Sequence, residues 1–403
     1  MEPTRTPLKI LMIAPTPFFA DRGTHIRILE EALALRRRGH EVTIATYHIG
    51  SDLPESMANG IDVRRIRRLL FWYKKLEAGP DWQKIVLDLM LIRKTFFLAR
   101  TWKPDIIHGH LHEGALIGWI VKRALFWRKM KLVADFHGSL TKEMVSHDYL
   151  GGGFLKAVFG WIERMIDNLG DTAVASSWSN AEEISRIRRR DGVEVALDGA
   201  RILPPFGAEG RQLAREKYDI PDDAIVAVYT GAFIANKGIK ALVAAIRPAV
   251  DRDPDLFFVL AGFPRNELEP LLAEHEVRSR VKIISPLPYV ELGEILGMSD
   301  IAIDPKRDDT GQASGKMLQY MGAGLPIVCF DTENNREYLG DGGTFASDDT
   351  PEALAEAIVS LAAERGRWNE LGEANRHRAQ AFGWDRTGEQ LEKIYETALD
   401  QNR

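Results

Sequence analysis

Short runs of uninterrupted apolar residues recur along the chain, each closed by glycine or a small polar residue. They limit what it can fold into. Lys9–Ala14 is the first, and residues 41–46, 105–108, 131–135 and 172–176 follow at helix-length intervals. A strand that is apolar at nearly every position has no face for water, so it belongs to a parallel sheet covered on both sides. The helix predicted over 25–38, closed by Gly39, makes the first connection a βαβ crossover. The series breaks at Ile202-Leu203-Pro204-Pro205-Phe206-Gly207, a stretch suited to an interdomain linker. A second series runs through 225–229, 256–262, 281–284, 301–304 and 327–330, with a helix predicted over 239–250. The expected architecture is α/β: two Rossmann-like doubly wound domains, residues 1–204 and 205–382, facing across a cleft. Open parallel sheets bind ligands beyond their carboxyl ends, so the loops there are where chemistry is expected.

At 403 residues the chain is too long for one compact core, in agreement with two domains. A net charge of −5 argues against nucleic acid as a partner. The single cysteine, Cys329, lies in an apolar run and excludes an intramolecular disulfide framework. The first seven residues lack the apolar core of a signal peptide, and apolar stretches such as 85–90 are interrupted by charge. A cytoplasmic protein is expected.

The most informative loop is 313–328. Ser314 is a credible N-cap, Gly315 and Lys316 open a short helix, and Gly324-Leu325-Pro326 stops it. Unpaired N–H groups at a helix start attract anions, and Lys316 adds a formal charge. Lys237 follows a glycine-containing loop that begins at Gly231, again at a strand's carboxyl end, where its ammonium can reach phosphate oxygens. Gly23 precedes the first helix, where the lack of a Cβ permits close approach of a ligand. His137 ends a strand in Asp135-Phe136-His137-Gly138. His108, His110 and His112 alternate, which in a strand places three imidazoles on one face and raises the question of zinc. No carboxylate or cysteine stands at ligand spacing beside them.

In order along the chain, five features resemble a known family. They are Arg36-Arg37-Arg38-Gly39-His40-Glu41-Val42 after the Gly23 loop, Asp135-Phe136-His137-Gly138, and Thr230-Gly231 through Lys237-Gly238. The helix ending Tyr320-Met321-Gly322-Ala323-Gly324-Leu325-Pro326 is the fourth, and Asn335-Arg336-Glu337 with Phe382-Gly383-Trp384 completes the set. This pattern is similar to that of the retaining glycosyltransferases of family 4, with the GT-B fold. The resemblance implies a last helix, 383–403, crossing back to the first domain. It implies metal-independent transfer of a hexose from a nucleotide-diphosphate sugar, of UDP or GDP type, to a hydroxyl acceptor, with retention and no cofactor. His137 and Lys237 would be catalytic. Gly23, Gly231, Lys237, Ser314, Gly315, Lys316 and Gln319 would bind the donor, and Thr24 and His110 would line the acceptor side of the cleft. No metal site is implied.

The chain also departs from the family. The usual pair of glutamates with seven residues between them is replaced by Gly311 and Gln319, and the arginine of the donor loop by Ala232. Glutamine can hold a ribose edge only through an uncharged bond. Arg307, Arg336 or Lys316 is expected to compensate for the missing cation. A non-catalytic nucleotide-sugar-binding protein derived from this family is the alternative these losses leave open, and an epimerase on the same fold a more distant one. Residues 63–75 mix arginine and lysine with Phe71, Trp72 and Tyr73, and 126–131 repeat the mixture. Such surfaces dock on anionic headgroups, so peripheral membrane contact is expected, and the resemblance implies an acceptor that is a lipid-linked or glycan intermediate.

Overall fold

The computed structural model describes residues 6–20, 23–53, 55–58, 60–74, 81–146, 153–189, 193–307 and 315–400. Its contacts divide into two units. The first contains β1 (Lys9–Ala14), α1 (Gly23–Arg37), β2 (Glu41–Thr46), α2 (Glu55–Ala58), β3 (Asp62–Arg65) and α3 (Trp82–Trp102). It continues with β4 (Ile106–His110), α4 (Leu111–Ala124), β5 (Lys131–Phe136), α5 (Leu140–Ser146), α6 (Phe154–Asp167), β6 (Thr172–Ala175), α7 (Trp178–Ile187) and β7 (Val193–Val195). All seven strands run parallel in the order β3-β2-β1-β4-β5-β6-β7. The order reverses between β1 and β4, which leaves a crevice at their carboxyl ends.

The second unit contains α8 (Ala208–Lys217), β8 (Ile225–Ala232), α9 (Ile239–Arg252), β9 (Leu256–Phe263), α10 (Arg265–Glu274), β10 (Val281–Ile284) and α11 (Leu292–Gly297). Then come β11 (Ile301–Asp304), α12 (Gly315–Ala323), β12 (Ile327–Phe330), α13 (Glu333–Leu339), β13 (Gly343–Ala346), α14 (Pro351–Ala363) and α15 (Trp368–Ala379). Its six parallel strands run β10-β9-β8-β11-β12-β13, with the reversal between β8 and β11. Tyr229, Phe258 and Phe330 lie wholly buried in its core. Cys329 is buried and free.

The last helix, α16 (Trp384–Asp400), belongs to the first unit and packs on α1 and β5. Its Glu392 takes Arg38 Nε at 2.9 Å and lies 3.2 Å from His40 Nε2. The units part between Asp198 and Gly199 rather than at 204/205. The stretch expected as a linker is already part of the second unit: Leu203 N–H donates to Gly322 O at 3.0 Å, and a Cβ on Gly322 would sit 2.3 Å from Arg201 O.

α3 is capped by Asp81, which accepts from Gln83 N–H at 3.2 Å, and ends at Lys103 with φ 56°. On its inner side Asp88 accepts a 2.5 Å hydrogen bond from the Tyr47 hydroxyl. Burial pushes the Asp88 carboxyl up to about 7, with Glu113 adding to the rise and the Tyr47 bond opposing it. Between the unfolded value near 4 and about 7 the unfolded chain ionises this carboxyl and the folded chain does not, so wild-type stability falls as pH rises across that window. Asp88→Asn removes the titration. The melting temperature of the variant relative to wild type is expected to climb from pH 4 to 7 and level off above it. The full span is on the order of 4 kcal/mol. A difference independent of pH would contradict this.

Candidate functional site

Both sheet reversals put chemistry-bearing residues at strand carboxyl ends. In the second unit Gly231 (φ 130°) stands one residue before the end of β8, and it lies against Gly262 of β9 so closely that a Cβ on Gly262 would stand 1.7 Å from Gly231 O. The chain then makes one tight helical turn, Ala235–Lys237, and enters α9 through Gly238 (φ 79°). A Cβ at Gly238 would stand 1.9 Å from Pro305 O, so this loop is clamped against the backbone that leaves β11. Gly238→Ala therefore combines a left-handed backbone with a collision. It is expected to cost about 2 kcal/mol or more in thermal unfolding, and to weaken nucleotide binding by calorimetry. Lys237, half-buried, precedes that clamp.

α12 is fixed to the same edge by two contacts. The Tyr320 hydroxyl, buried and pushed well up in pKa by burial, accepts from Thr230 N–H at 2.8 Å. Lys316 Nζ lies 3.1 Å from Asp304 Oδ1, at the end of β11, and 4.2 Å from the centre of the Tyr229 ring. These bonds tie α12, a nine-residue helix that starts at Gly315, to the ends of β8 and β11. Gln319 is buried on the same helix. Ser314, Gly311 and Asp308 lie outside the described residues.

The cations expected to replace the donor-loop arginine are otherwise engaged. Lys316 has only 13% of its side chain exposed and carries Asp304 as counter-ion. Arg336 grips Asp331 through Nε at 2.5 Å and Nη2 at 2.6 Å. Arg307 donates to Asp349 O. Beside the Lys237 loop a pocket of about 360 Å³ is lined by Asn236, Gly238, Lys240, Arg307 and Pro351. Asn236 Oδ1 is buried there with no hydrogen-bond partner among the described residues.

In the first unit, α1 starts at Gly23, where a Cβ would meet nothing within 4 Å. The fold itself does not require glycine at that point. Thr24 is half-buried in the same first turn. Across the sheet, Asp135 at the end of β5 is a hub with no exposure. Its Oδ2 lies 3.1 Å from Arg27 Nε, His110 Nδ1 and His137 Nε2, and 3.5 Å from His108 Nε2. Burial alone would raise this carboxyl, but Arg27, His137 and the hydrogen bonds from His108 and His110 hold it well below the usual range. Burial lowers the pKa of both His108 and His110, with the neighbouring imidazoles adding to the fall and Asp135 opposing it. His137, at the surface of this hub, has its Nε2 anchored.

Two expectations change here. His110 is wholly buried behind His137, so it supports that ring and does not line an open surface. The three alternating histidines do not share a face: β4 ends at His110, Leu111 turns through φ 62°, and His112 starts down α4 to pair with Asp167 at 3.3 Å. His108 and His110 stack at 4.3 Å between ring centres. Tertiary structure also supplies the carboxylates that sequence spacing lacked: ligand atoms of Glu31, His108, His110 and Asp135 lie within 4.8 Å of one another. The place of a cation there is taken by Arg27, whose guanidinium is 2.9 Å from Glu31 Oε1 and also binds Asp135 and Asp198. Sequence reasoning missed the roles of Asp304, which holds Lys316, and of Tyr320 and Arg27, which are paired with residues far along the chain.

A family model described as "Glycosyl transferases group 1" matches residues 224–364, and one described as "Glycosyl transferase 4-like domain" matches residues 22–197. A D-inositol 3-phosphate glycosyltransferase of Streptosporangium roseum is 25% identical, over 94% of this chain and 88% of its own. Sucrose-phosphate synthase from Thermosynechococcus elongatus superposes with a TM-score of 0.78 at 18% identity, covering 98% of this chain and 100% of that one. Anabaena HepE, solved in complex with UDP-glucose, gives 0.74 at 15% identity, covering 97% and 100%.

Proposed function

The chain belongs to the group 1 glycosyl transferases, with a glycosyl transferase 4-like first unit and the GT-B fold, and on that premise we propose a specific reaction for it. It moves a hexose from a nucleotide-diphosphate sugar, of UDP or GDP type, to a hydroxyl acceptor with retention and without a resident metal. The observation that carries this reading is the edge of the second unit, where Gly231, the Lys237-Gly238 loop and the start of α12 converge at the β8/β11 reversal. The UDP-glucose bound by HepE, a protein of the same fold, supports a donor of this class.

In the proposed reaction the C1–O bond to the β-phosphate breaks while the acceptor oxygen bonds C1 on the same face. The acceptor proton passes to the departing phosphate oxygen. Negative charge grows on the diphosphate, where the Lys237 ammonium and the Gly315 N–H stabilise it more in the transition state than in the ground state. Gln319 takes a ribose edge. His137, anchored through Nε2 by Asp135, holds the donor sugar near the reacting carbon, which is a positioning contribution. The acceptor is a hydroxyl on a lipid-linked or glycan intermediate, met at an anionic membrane surface.

The test is incubation with UDP- and GDP-hexoses over a panel of acceptors, with the anomeric configuration of the product read by NMR. Transfer with retention, insensitive to chelators, is expected. An inverted product, or loss of activity on chelation restored by a divalent ion, would overturn the corresponding part. Tight nucleotide binding with no turnover on any acceptor would favour the non-catalytic alternative.

A further inference from the structure

Three helices side by side cover one face of the first sheet, α4 packing against both α3 and α6. Their outer surface is unlike the exterior of a soluble domain. α3 buries Leu87, Leu91, Thr95 and Ala99, yet its opposite side presents Trp82, Ile85, Leu89, Arg93, Phe97 and Arg100 in one continuous stripe. Trp82, Ile85 and Leu89 are each more than 60% exposed. On α6, Leu155, Trp161 and Met165 also face outward. The turn after α4 adds Phe126, 81% exposed, and Trp127, and it is tied to the end of α3 by Arg128 Nη2 donating to Arg100 O at 3.2 Å. Beside the start of α3, Leu70 and Tyr73 are buried in the core that includes Leu87 and Leu91, leaving Leu69, Phe71 and Trp72 exposed. A helix apolar on both sides has a second partner. This face runs about 30 Å along α3 and about 20 Å across the three helices, which puts it at the upper end of the patches that ordinary monomers expose, where such patches are often functional.

Charge identifies that partner. The three helices carry four carboxylates, and three of them turn inward: Asp88 to Tyr47, Glu163 to Thr141 N–H, and Asp167 to His112. Arg93, Arg100, Arg123, Lys156 and Arg164 face outward. In a chain of net charge −5 this is a concentrated cationic and aromatic surface. A second copy of the chain placed on it about a two-fold axis would set these cations against themselves.

We infer that the outer face of α3, α4 and α6, together with residues 67–74, seats the first unit on an anionic lipid bilayer. Tryptophan and phenylalanine insert at the headgroup level while arginine and lysine meet lipid phosphates. The inference builds on the proposed membrane-borne acceptor and gives that contact a principal surface the basic segment alone does not provide. Among the described residues no helix is long and apolar enough to cross a membrane, so the contact is peripheral.

The test is flotation of the purified full chain with vesicles of phosphatidylcholine alone and with one third phosphatidylglycerol. Binding is expected only to the anionic vesicles and weakens as salt is raised. Arg93→Glu with Arg100→Glu, and separately Trp82→Ser with Leu89→Ser, are each expected to lower partitioning by at least about tenfold. These side chains are solvent-exposed, and an unchanged melting temperature verifies folding. Nucleotide-sugar binding by calorimetry stays at the wild-type level in both variants, which separates this test from that of the transfer reaction. Equal binding to neutral vesicles, no binding to either, or a dimer in solution dissolved by the same substitutions would overturn the inference.

Discussion

Replacing Lys237 by alanine is expected to lower kcat/KM for sugar transfer by a factor of about 10²–10³, the scale seen when one preorganised charge-stabilising donor is lost. The three cations expected to take its place are engaged by other groups. The donor-loop arginine is Ala232, Lys316 is neutralised by Asp304, and Arg336 by Asp331. In the proposed reaction the diphosphate leaving group relies on this ammonium and on the N–H groups at the start of α12. The loss is expected mainly in kcat, because charge on the leaving oxygens grows as the bond breaks. Lys237→Arg is expected to recover little, since the tight turn clamped by Gly238 against Pro305 suits a point charge on a flexible stem and not a planar fork. Initial rates and calorimetric binding of the nucleoside diphosphate check both statements. A variant that transfers sugar at the wild-type rate would remove Lys237 from the mechanism.

Arg27→Met is expected to destabilise the first unit by about 3–5 kcal/mol, because it leaves buried carboxylates without their counter-ion. Arg27 is wholly enclosed and bonds Asp135 through Nε and Nη2, Glu31 at 2.9 Å, Asp198 at 2.8 Å and the Ala196 carbonyl. Burial raises the Glu31 carboxyl well above its ordinary value, with Asp135 and Asp198 adding to the rise and Arg27 opposing it. Removing the guanidinium makes that competition worse. Glu31→Gln in the Arg27→Met background is then expected to recover part of the loss, as it withdraws one acid from the orphaned group. Thermal melts of the four proteins of this cycle give the answer. The Arg27→Met change is also expected to impair transfer, because Asp135 holds His137.

The central strands were legible because burial on both faces leaves an unbroken apolar run, as in Lys9–Ala14 and Ile327–Phe330. The strands that escaped notice, Asp62–Arg65, Val193–Val195 and Gly343–Ala346, sit at sheet edges, where half-exposed positions admit polar residues. The glycine and lysine positions of the donor loop could be read because their spacing is local. The contacts that organise the site could not. Arg27 and Asp135 are 108 residues apart, and Thr230 and Tyr320 are 90 apart. The fate of His112 hinged on the left-handed turn at Leu111, for which leucine gives no warning.

The return of α16 to the first unit bears on how the protein is made. The Tyr395 hydroxyl lies 2.5 Å from buried His108 Nδ1, and Glu392 is within 3.2 Å of His40 and binds Arg38, so β4 and α1 have their last partners only when the final helix arrives. The second unit is encoded between those partners. On the ribosome, the first unit must wait with an uncovered flank while the whole of its companion is translated.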